Sequence, residues 1–219
     1  MNGRLIVIEG LDGSGKGTQA ALLVEALLSQ GRNVRKISFP NYESDSSALV
    51  KMYLNGEFGT DPGDVNGYAA STFFAVDRFA SFRKDWGAFY REGGIVIADR
   101  YTTSNAVHQC CKLDKAEWDD YLGWLFDFEY RIMGIPAPDQ VLYLQVDVAE
   151  SQKLMRERYE GDDRKKDIHE ANTDYLLHSQ AAAEYCADKF RWQRVCCYRD
   201  GKMRSIEDIH NELLTLLQL

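Results

Sequence analysis

The 219-residue sequence has no excess of basic charge, no ordered cysteine pattern and no long apolar run. Its 34 acidic residues outnumber its 26 basic ones, and the net charge of -8 argues against a broad basic face for nucleic acid. No apolar run approaches the length of a membrane span, and the amino terminus lacks a leader pattern. We therefore expect a cytoplasmic protein with neither a nucleic-acid partner nor a membrane partner.

The five cysteines are odd in number and form no Cys-x-x-Cys pair, which argues against a disulfide framework and against a zinc site. We expect free thiols in a reducing compartment. Internal repeats and low-complexity segments are absent as well. The length fits one α/β domain that spans residues 1–219.

The sequence does contain a phosphate-binding loop, directly after an apolar run near the amino terminus. Its glycines let the backbone wrap a polyphosphate with inward-pointing N–H groups, and its lysine reaches the β and γ phosphates. The helix that follows points its positive end at the same anion. The pattern predicts a nucleotide site formed by Gly10, Gly13, Ser14, Gly15, Lys16, Gly17 and Thr18.

This loop departs from the strict pattern at one position. A serine or threonine that ligates Mg²⁺ normally follows the lysine, whereas here Gly17 follows it and the hydroxyl comes from Thr18. We expect Mg²⁺ as the cofactor, with Thr18 and the strand-end carboxylate Asp99 as its candidate ligands.

Five short apolar runs alternate with helical patterns along the chain. This alternation predicts an α/β fold in three layers, a five-stranded parallel sheet flanked by helices, with ligands at the carboxyl ends of the strands. The predicted strands are residues 5–9, 34–39, 95–99, 140–146 and 195–198. The predicted helices are residues 18–30, 69–92, 115–132, 151–159, 171–191 and 206–217, while 42–66 and 160–166 are expected at the surface.

Polar side chains follow the third strand, starting with Asp99 and Arg100. There an aspartate can hold Mg²⁺ and an arginine can grip a phosphate with two hydrogen bonds, although an ordinary turn with the two residues paired is an alternative. One turn apart on a predicted helix, Phe74 and Arg78 suit stacking on a base and hydrogen bonding to its edge. A purely structural place for Phe74 in the core is the alternative.

These motifs, in this order, resemble the thymidylate kinase family over nearly the whole chain. The resemblance rests on the loop with its preceding Ile8-Glu9, the Phe39-Pro40 pair, the run from Phe74 to Arg78, Asp99-Arg100-Tyr101 with Ser104 and Asn105, and Asp167-Ile168-His169-Glu170. It implies a P-loop kinase fold with a small mobile lid. It also implies phosphoryl transfer from ATP to dTMP, giving dTDP and ADP in dTTP synthesis, and a homodimer.

The resemblance also implies a role for each matching residue. Asp12 would hold the 3′-hydroxyl of the acceptor sugar and Arg100 its phosphate, while Lys16 and the loop hold ATP. Phe74 would cover the thymine face, with Arg78 and Asn105 at the base edge. The implied dTMP site consists of Asp12, Phe39, Tyr42, Phe74, Arg78, Arg100, Ser104, Asn105, His108 and Gln109. The implied catalytic residues are Lys16, Asp12, Asp99, Arg100, Arg158 and Arg164.

The family differs in where it keeps a catalytic arginine, either in the phosphate loop just after the aspartate or in the lid. Because Gly13 occupies the loop position, the arginine must come from elsewhere. We expect a lid at about residues 156–166, from which Arg158 or Arg164 closes onto the transferred phosphoryl group. A solvated helix end is the alternative for this charged run.

Three departures from the family pattern keep other substrates open. Tyr42 stands where many relatives have a second phosphate-gripping arginine, and His108 replaces an aromatic residue that crowds a ribose 2′-hydroxyl. The run from Lys16 to Gln19 reads like the adenylate kinase loop. The alternatives are therefore a kinase of dUMP, dGMP or AMP, or a deoxynucleoside kinase.

Two other classes of protein are less favoured. A GTPase-like switch would carry an Asn-Lys-x-Asp signature after the fourth strand, where Gln145-Val146-Asp147-Val148 stands instead. A non-catalytic relative would not need the intact Lys16, Asp99 and Arg100. The sequence thus favours an enzyme, an ATP-dependent nucleoside monophosphate kinase.

Overall fold

The structure of the chain is a computed structural model. It describes residues 3–158, 160, 167–170, 172–199 and 201–217, and for residues 157 and 158 it describes the backbone alone. The main sheet is parallel and has the strand order β2-β3-β1-β4-β5. Its strands are β1 (Arg4–Gly10), β2 (Val34–Ser38), β3 (Ile95–Asp99), β4 (Gln140–Gln145) and β5 (Gln193–Cys196).

Helices lie between the strands and cover both faces of the sheet. They are α1 (Lys16–Ser29), α2 (Ala48–Leu54), α3 (Gly67–Ser81), α4 (Gly87–Arg91), α5 (Thr102–His108), α6 (Trp118–Phe126), α7 (Val148–Arg158), α8 (Thr173–Lys189) and α9 (Ile206–Leu216). Two π-helical turns, Phe82–Trp86 and Asp127–Ile132, extend α3 into α4 and prolong α6. A short antiparallel hairpin is formed by β6 (Tyr198–Arg199) and β7 (Lys202–Met203).

The central strand shows why the sheet has helices on both faces. In β1, Leu5 and Val7 pack with the aromatic residues of the π turn after α3, whereas Ile6 and Ile8 pack against α1 and α9. All four side chains are fully buried. A strand buried on both faces reads as a continuous apolar run, which is why the sequence predicts these strands well.

The predicted fold class is confirmed, and the strand bounds agree to within two residues. The two helices α2 and α5 are corrections: α2 lies inside the segment expected to be polar surface, and α5 begins two residues after Arg100. The predicted helix 115–132 begins as a 3₁₀ turn and ends as a π turn. In the part of the chain that the structure describes, no helix has the length and apolar character needed to cross a membrane.

Candidate active site

The phosphate loop joins β1 to α1 at the carboxyl edge of the sheet. Gly13 and Gly15 have φ angles of 80° and 85°, and α1 starts at Lys16 with no side chain capping its first turn. The free N–H groups of that turn can therefore bind an anion. The buried Lys16 Nζ donates to the Leu11 carbonyl at 2.6 Å and lies 3.8 Å from Asp12 Oδ1. Burial, together with the charge of Arg100, lowers the pKa of Lys16 to about 8.

Gly13 packs directly against α7, the helix that leads to the expected lid. A Cβ atom at Gly13 would lie 2.7 Å from the Ser151 carbonyl oxygen, and the Ser151 hydroxyl donates to the Asp12 carbonyl. A side chain at position 13 would therefore push α7 away, and the positive φ angle would strain it further. This contact explains physically why the loop carries no arginine after Asp12.

Gly17 lies against the strand-end aspartate. A Cβ atom at Gly17 would lie 3.0 Å from Asp99 Oδ2, so that the Asp99 carboxylate approaches the first turn of α1 closely. Thr18 is exposed and, like Asp99 and Lys16, lines a cavity at this edge of the sheet. One carboxylate and one hydroxyl therefore lie beside the place where the loop would hold phosphates.

Arg100 is the centre of the polar network after β3. Its backbone is left-handed, with a φ angle of 67°. Its guanidinium forms an ion pair with Asp12, lies 3.7 Å from Glu9 Oε1, and donates to Ser104 Oγ at 3.2 Å and His108 Nε2 at 3.1 Å. The partner of Arg100 is thus Asp12, across the sheet edge, and the predicted alternative of a pair with Asp99 is wrong.

These charges shift the acid–base behaviour of their neighbours. Burial by itself raises the pKa of Asp12, but the charges of Arg100 and Lys16 outweigh it and hold that pKa well below its usual range. Burial and the charge of Arg100 lower the pKa of His108 to about 3. Because arginine can only donate, His108 accepts through Nε2 and stays neutral at ordinary pH.

Glu9 is a site residue that the sequence reasoning missed. It is fully buried at the end of β1 and accepts hydrogen bonds from Thr103 Oγ1 at 2.7 Å and Ser104 Oγ at 2.8 Å. With Asp12 it places a second carboxylate beside Arg100. A charged residue inside an apolar strand run was the signal that could have identified it.

The other end of the cavity is built around Arg78. Its Nε and Nη2 atoms donate to the two carboxylate oxygens of Glu129 at 2.7 and 2.6 Å, and both side chains are buried. Glu129 also accepts from Thr102 Oγ1 at 2.7 Å and from Asn105 Nδ2 at 3.4 Å. Glu129 is a second residue that sequence reasoning missed.

The segment from Asp167 to Glu170, which follows the expected lid, docks against α2. The Ile168 amide donates to the Leu54 carbonyl at 3.3 Å, and the Tyr53 hydroxyl lies 2.7 Å from His169 Nε2. His169 stacks on His108 with ring centroids 6.0 Å apart. Burial, with the negative charge of Glu170 acting in the same sense, raises the pKa of Asp167 to about 7.

Many of these groups line one cavity of about 690 Å³, although Glu9 and Glu129 do not. It brings together Asp12, Gly13, Gly15, Lys16, Gly17, Thr18, Phe39, Tyr42, Phe74, Arg78, Asp99, Arg100, Ser104, Asn105, His108 and Gln109 from the predicted site. Gly10 and Ser14 lie behind its wall, where Ser14 is buried. Arg164 and the side chain of Arg158 lie outside the described residues. The unpredicted residues at the wall include Asp167, His169 and Glu170.

Comparisons with known proteins agree with this geometry. Residues 8–197 match the family model described as thymidylate kinase. The chain is 35% identical over 158 residues to a thymidylate kinase of Mycobacterium tuberculosis, covering 72% of this chain and 71% of that protein. It is 30% identical over 162 residues to the human thymidylate kinase, covering 73% and 70%.

A solved structure also resembles this fold. The structure of thymidylate kinase from Candida albicans superimposes with a TM-score of 0.73, covering 98% of this chain and 91% of the other. The two sequences are 22% identical, so that this likeness concerns the fold alone.

Proposed function

The chain belongs to the thymidylate kinase family, and we propose that the cavity described above is where it transfers a phosphoryl group from ATP to dTMP. One observation carries this proposal. The same cavity has a phosphate loop at one side, an arginine among carboxylates at its centre, and a paired arginine and asparagine at its far end. These are the features needed for a donor phosphate, an acceptor phosphate and a pyrimidine edge.

ATP would bind at the loop. The amide groups of the loop and of the first turn of α1 would surround its phosphates, with Lys16 supplying a cation. Gly10 and Ser14 would shape the loop from behind, since they do not line the cavity.

Mg²⁺ fits the donor set at this edge of the sheet. Mg²⁺ takes one or two protein ligands and completes its shell with water and substrate phosphates. Asp99 and Thr18 would hold it, directly or through water. Among the described residues, no cluster of three or more His, Cys, Asp or Glu could hold a metal, which agrees with an ion that arrives with ATP. The ion would neutralise charge on the phosphates.

The acceptor phosphate would take up the centre of the cavity. Arg100 would bind it, and Asp12 would hold the 3′-hydroxyl of the deoxyribose. An acceptor phosphate is already ionised near pH 7, so that no strong general base and no covalent nucleophile are required. Catalysis would come from positioning and from charge stabilisation during direct in-line transfer.

The base would lie at the far end, with Phe74 over its face and Arg78, Asn105 and Gln109 at its edge. Phe39 is buried in the cavity wall, and Tyr42 is half exposed in the same wall, in place of a second arginine. His108 stands beside Arg100, where a ribose 2′-hydroxyl would approach.

A lid at about residues 156–166 would supply the remaining cation within a single domain of residues 1–219. The contact between Gly13 and α7 supports this proposal, because it excludes an arginine from the loop and ties the loop to the helix before the lid. Arg158 or Arg164 would then close onto the transferred group. Turnover that is unchanged when both are replaced by alanine would contradict this role.

A homodimer is the proposed assembly. The stripe formed by Tyr68, Val76 and Phe79 on α3 is exposed, and the Tyr68 ring lies 4.8 Å from the Trp124 ring of α6. An apolar patch of this kind suits a second copy of the chain, and sedimentation of the purified protein checks it. All five cysteines are free thiols, which supports the cytosol as the compartment.

A coupled assay with ATP and Mg²⁺ tests the substrate assignment. The acceptors are dTMP, dUMP, UMP, dGMP and AMP, and we expect the highest kcat/KM for dTMP. A preference for AMP or dGMP would overturn the thymine assignment and leave the fold unchanged. Hydrolysis of GTP without dependence on an acceptor would indicate a switch protein instead.

A further inference from the structure

Glu129 lies behind the base end of the cavity and does not line it. Its side chain is fully buried on the π-helical turn after α6. It accepts hydrogen bonds from two of the residues assigned to the base edge, two bonds from Arg78 and one from Asn105. A structural ion pair would need only Arg78, whereas this carboxylate joins the two residues that would read the base.

A carboxylate only accepts hydrogen bonds, and this determines how its neighbours are oriented. Asn105 must turn its amide nitrogen toward Glu129, and the Ser71 carbonyl, 3.2 Å from the same nitrogen, favours the same orientation. The Asn105 carbonyl oxygen then faces away from Glu129 as an acceptor. Arg78 keeps Nη1 available as a donor, since that atom has only a 3.4 Å contact to the Tyr101 carbonyl.

We infer that Glu129 is a positioning residue that sets the hydrogen-bond polarity of the base site, with Arg78 donating and Asn105 accepting. The base must then present an acceptor next to a donor. Thymine does so with O4 and N3–H, whereas cytosine presents an amino group and an unprotonated ring nitrogen and is mismatched at both positions. This inference rests on the proposed function, because it assumes that a pyrimidine monophosphate is the acceptor.

The test compares dTMP with 5-methyl-dCMP, which share the methyl group and differ only in the groups that this polarity reads. We expect the wild-type kcat/KM to favour dTMP by about 1,000-fold or more. The mismatched base of 5-methyl-dCMP would leave buried polar groups of the site unpaired, and a site built to hydrogen-bond its substrate discriminates strongly against such an analogue. In Glu129→Gln the new amide can donate to Asn105 and let it rotate. We expect the preference to fall about tenfold or more, with a raised KM for dTMP and an unchanged KM for ATP.

Two further variants separate positioning from a general loss of structure. Glu129→Asp keeps a group that only accepts, and we expect it to retain the wild-type preference within about threefold even if its KM rises. Asp127→Asn makes the same carboxylate-to-amide change at an exposed position of the same turn. It should change neither the preference for dTMP nor the KM for dTMP.

Equal use of the two nucleotides by the wild-type enzyme would overturn the inference without any variant. So would a Glu129→Gln variant that keeps the full preference for dTMP. A wild-type chain that does not phosphorylate dTMP would instead contradict the proposed function.

Discussion

Arg78 lies at the far end of the cavity and Arg100 at its centre, and the two side chains are held in different ways. Two nitrogen atoms of Arg78 donate to a single carboxylate, that of Glu129, and the Arg78 side chain is 2% exposed. The Arg100 guanidinium instead contacts four separate side chains, and the Arg100 side chain is 15% exposed. Its partners are Asp12, Glu9, Ser104 and His108. The first arrangement is bidentate and fixes the orientation of the guanidinium, whereas the second consists of separate contacts that a phosphate oxygen can replace one at a time.

The backbone conformations of these two arginines also differ. Arg78 lies in the regular helix α3, while Arg100 adopts a left-handed conformation that costs a non-glycine residue about 1–2 kcal/mol. Strain that persists at a functional side chain indicates that its position matters more than its stability. We therefore propose that Arg78 belongs to the architecture of the base site and that Arg100 exchanges partners during the reaction.

Replacing Arg100 should give the largest effect, and activity should fall far more than stability. In Arg100→Gly we expect kcat/KM for dTMP to fall about 1,000-fold, or about 4 kcal/mol, because the acceptor phosphate loses its cation. The free energy of unfolding should fall by only about 1–2 kcal/mol, because relief of the positive φ angle offsets part of the lost pairing with Asp12 and Glu9. Steady-state kinetics and urea unfolding measure the two quantities.

Arg100→Ala is the matched control for that variant. It removes the same guanidinium but keeps the strained backbone, and we expect it to be about 1 kcal/mol less stable than Arg100→Gly, with equal activity. A glycine variant that retained kcat/KM within tenfold would contradict the exchange of partners at Arg100.

Replacing Arg78 should differ from replacing Arg100 by causing a large loss of stability. Arg78→Met leaves the Glu129 carboxylate buried without a cation, and we expect the free energy of unfolding to fall by about 3 kcal/mol. The double variant Arg78→Met with Glu129→Met removes both charges and should recover most of this loss. Urea unfolding of the wild type, the single variant and the double variant measures these changes. A single variant that lowers the free energy of unfolding by less than about 1 kcal/mol would show that the pair is not structural.

The contrast between Arg78 and Arg100 also explains how much of the candidate site could be predicted from the sequence. Arg100 and Asp12 belong to local motifs at the ends of strands, and parallel topology alone brings such ends together. Glu129 has no such signal. Hydrophobicity favours Phe128 over Glu129 as the buried residue of this turn. The structure buries Glu129 because Arg78, 51 positions away, neutralises it.

The missed helix α2 has a similar cause. It is seven residues long in a polar stretch, too short to form by propensity alone. Val50 and Tyr53 hold it through contacts with α3 and with Ile168, more than 100 positions later. Local patterns thus predict the sheet and the phosphate end, whereas elements that depend on distant partners become visible only in the folded chain.

The smallest effect concerns protons at the phosphate end. Lys16 is a lysine whose pKa is lowered to about 8 by burial and by Arg100, so that above this pH the free protein increasingly holds it neutral. The phosphates of ATP favour the charged form and raise that pKa again. Binding should therefore take up a proton above about pH 8, and none through Lys16 near pH 6.

We expect about 0.5 proton or more to be taken up per ATP bound at pH 8.5, with an affinity about fourfold weaker than at pH 7. Calorimetry in two buffers of different ionisation enthalpy measures this uptake. Lys16→Arg is the control, because a guanidinium stays charged throughout this range and the uptake through position 16 should disappear. An uptake that persists in this variant would assign the proton to another group. A wild-type protein without uptake would show that Lys16 is already fully charged before ATP binds. The charge state at the phosphate loop would then be fixed in advance, as it is for the Arg78–Glu129 pair.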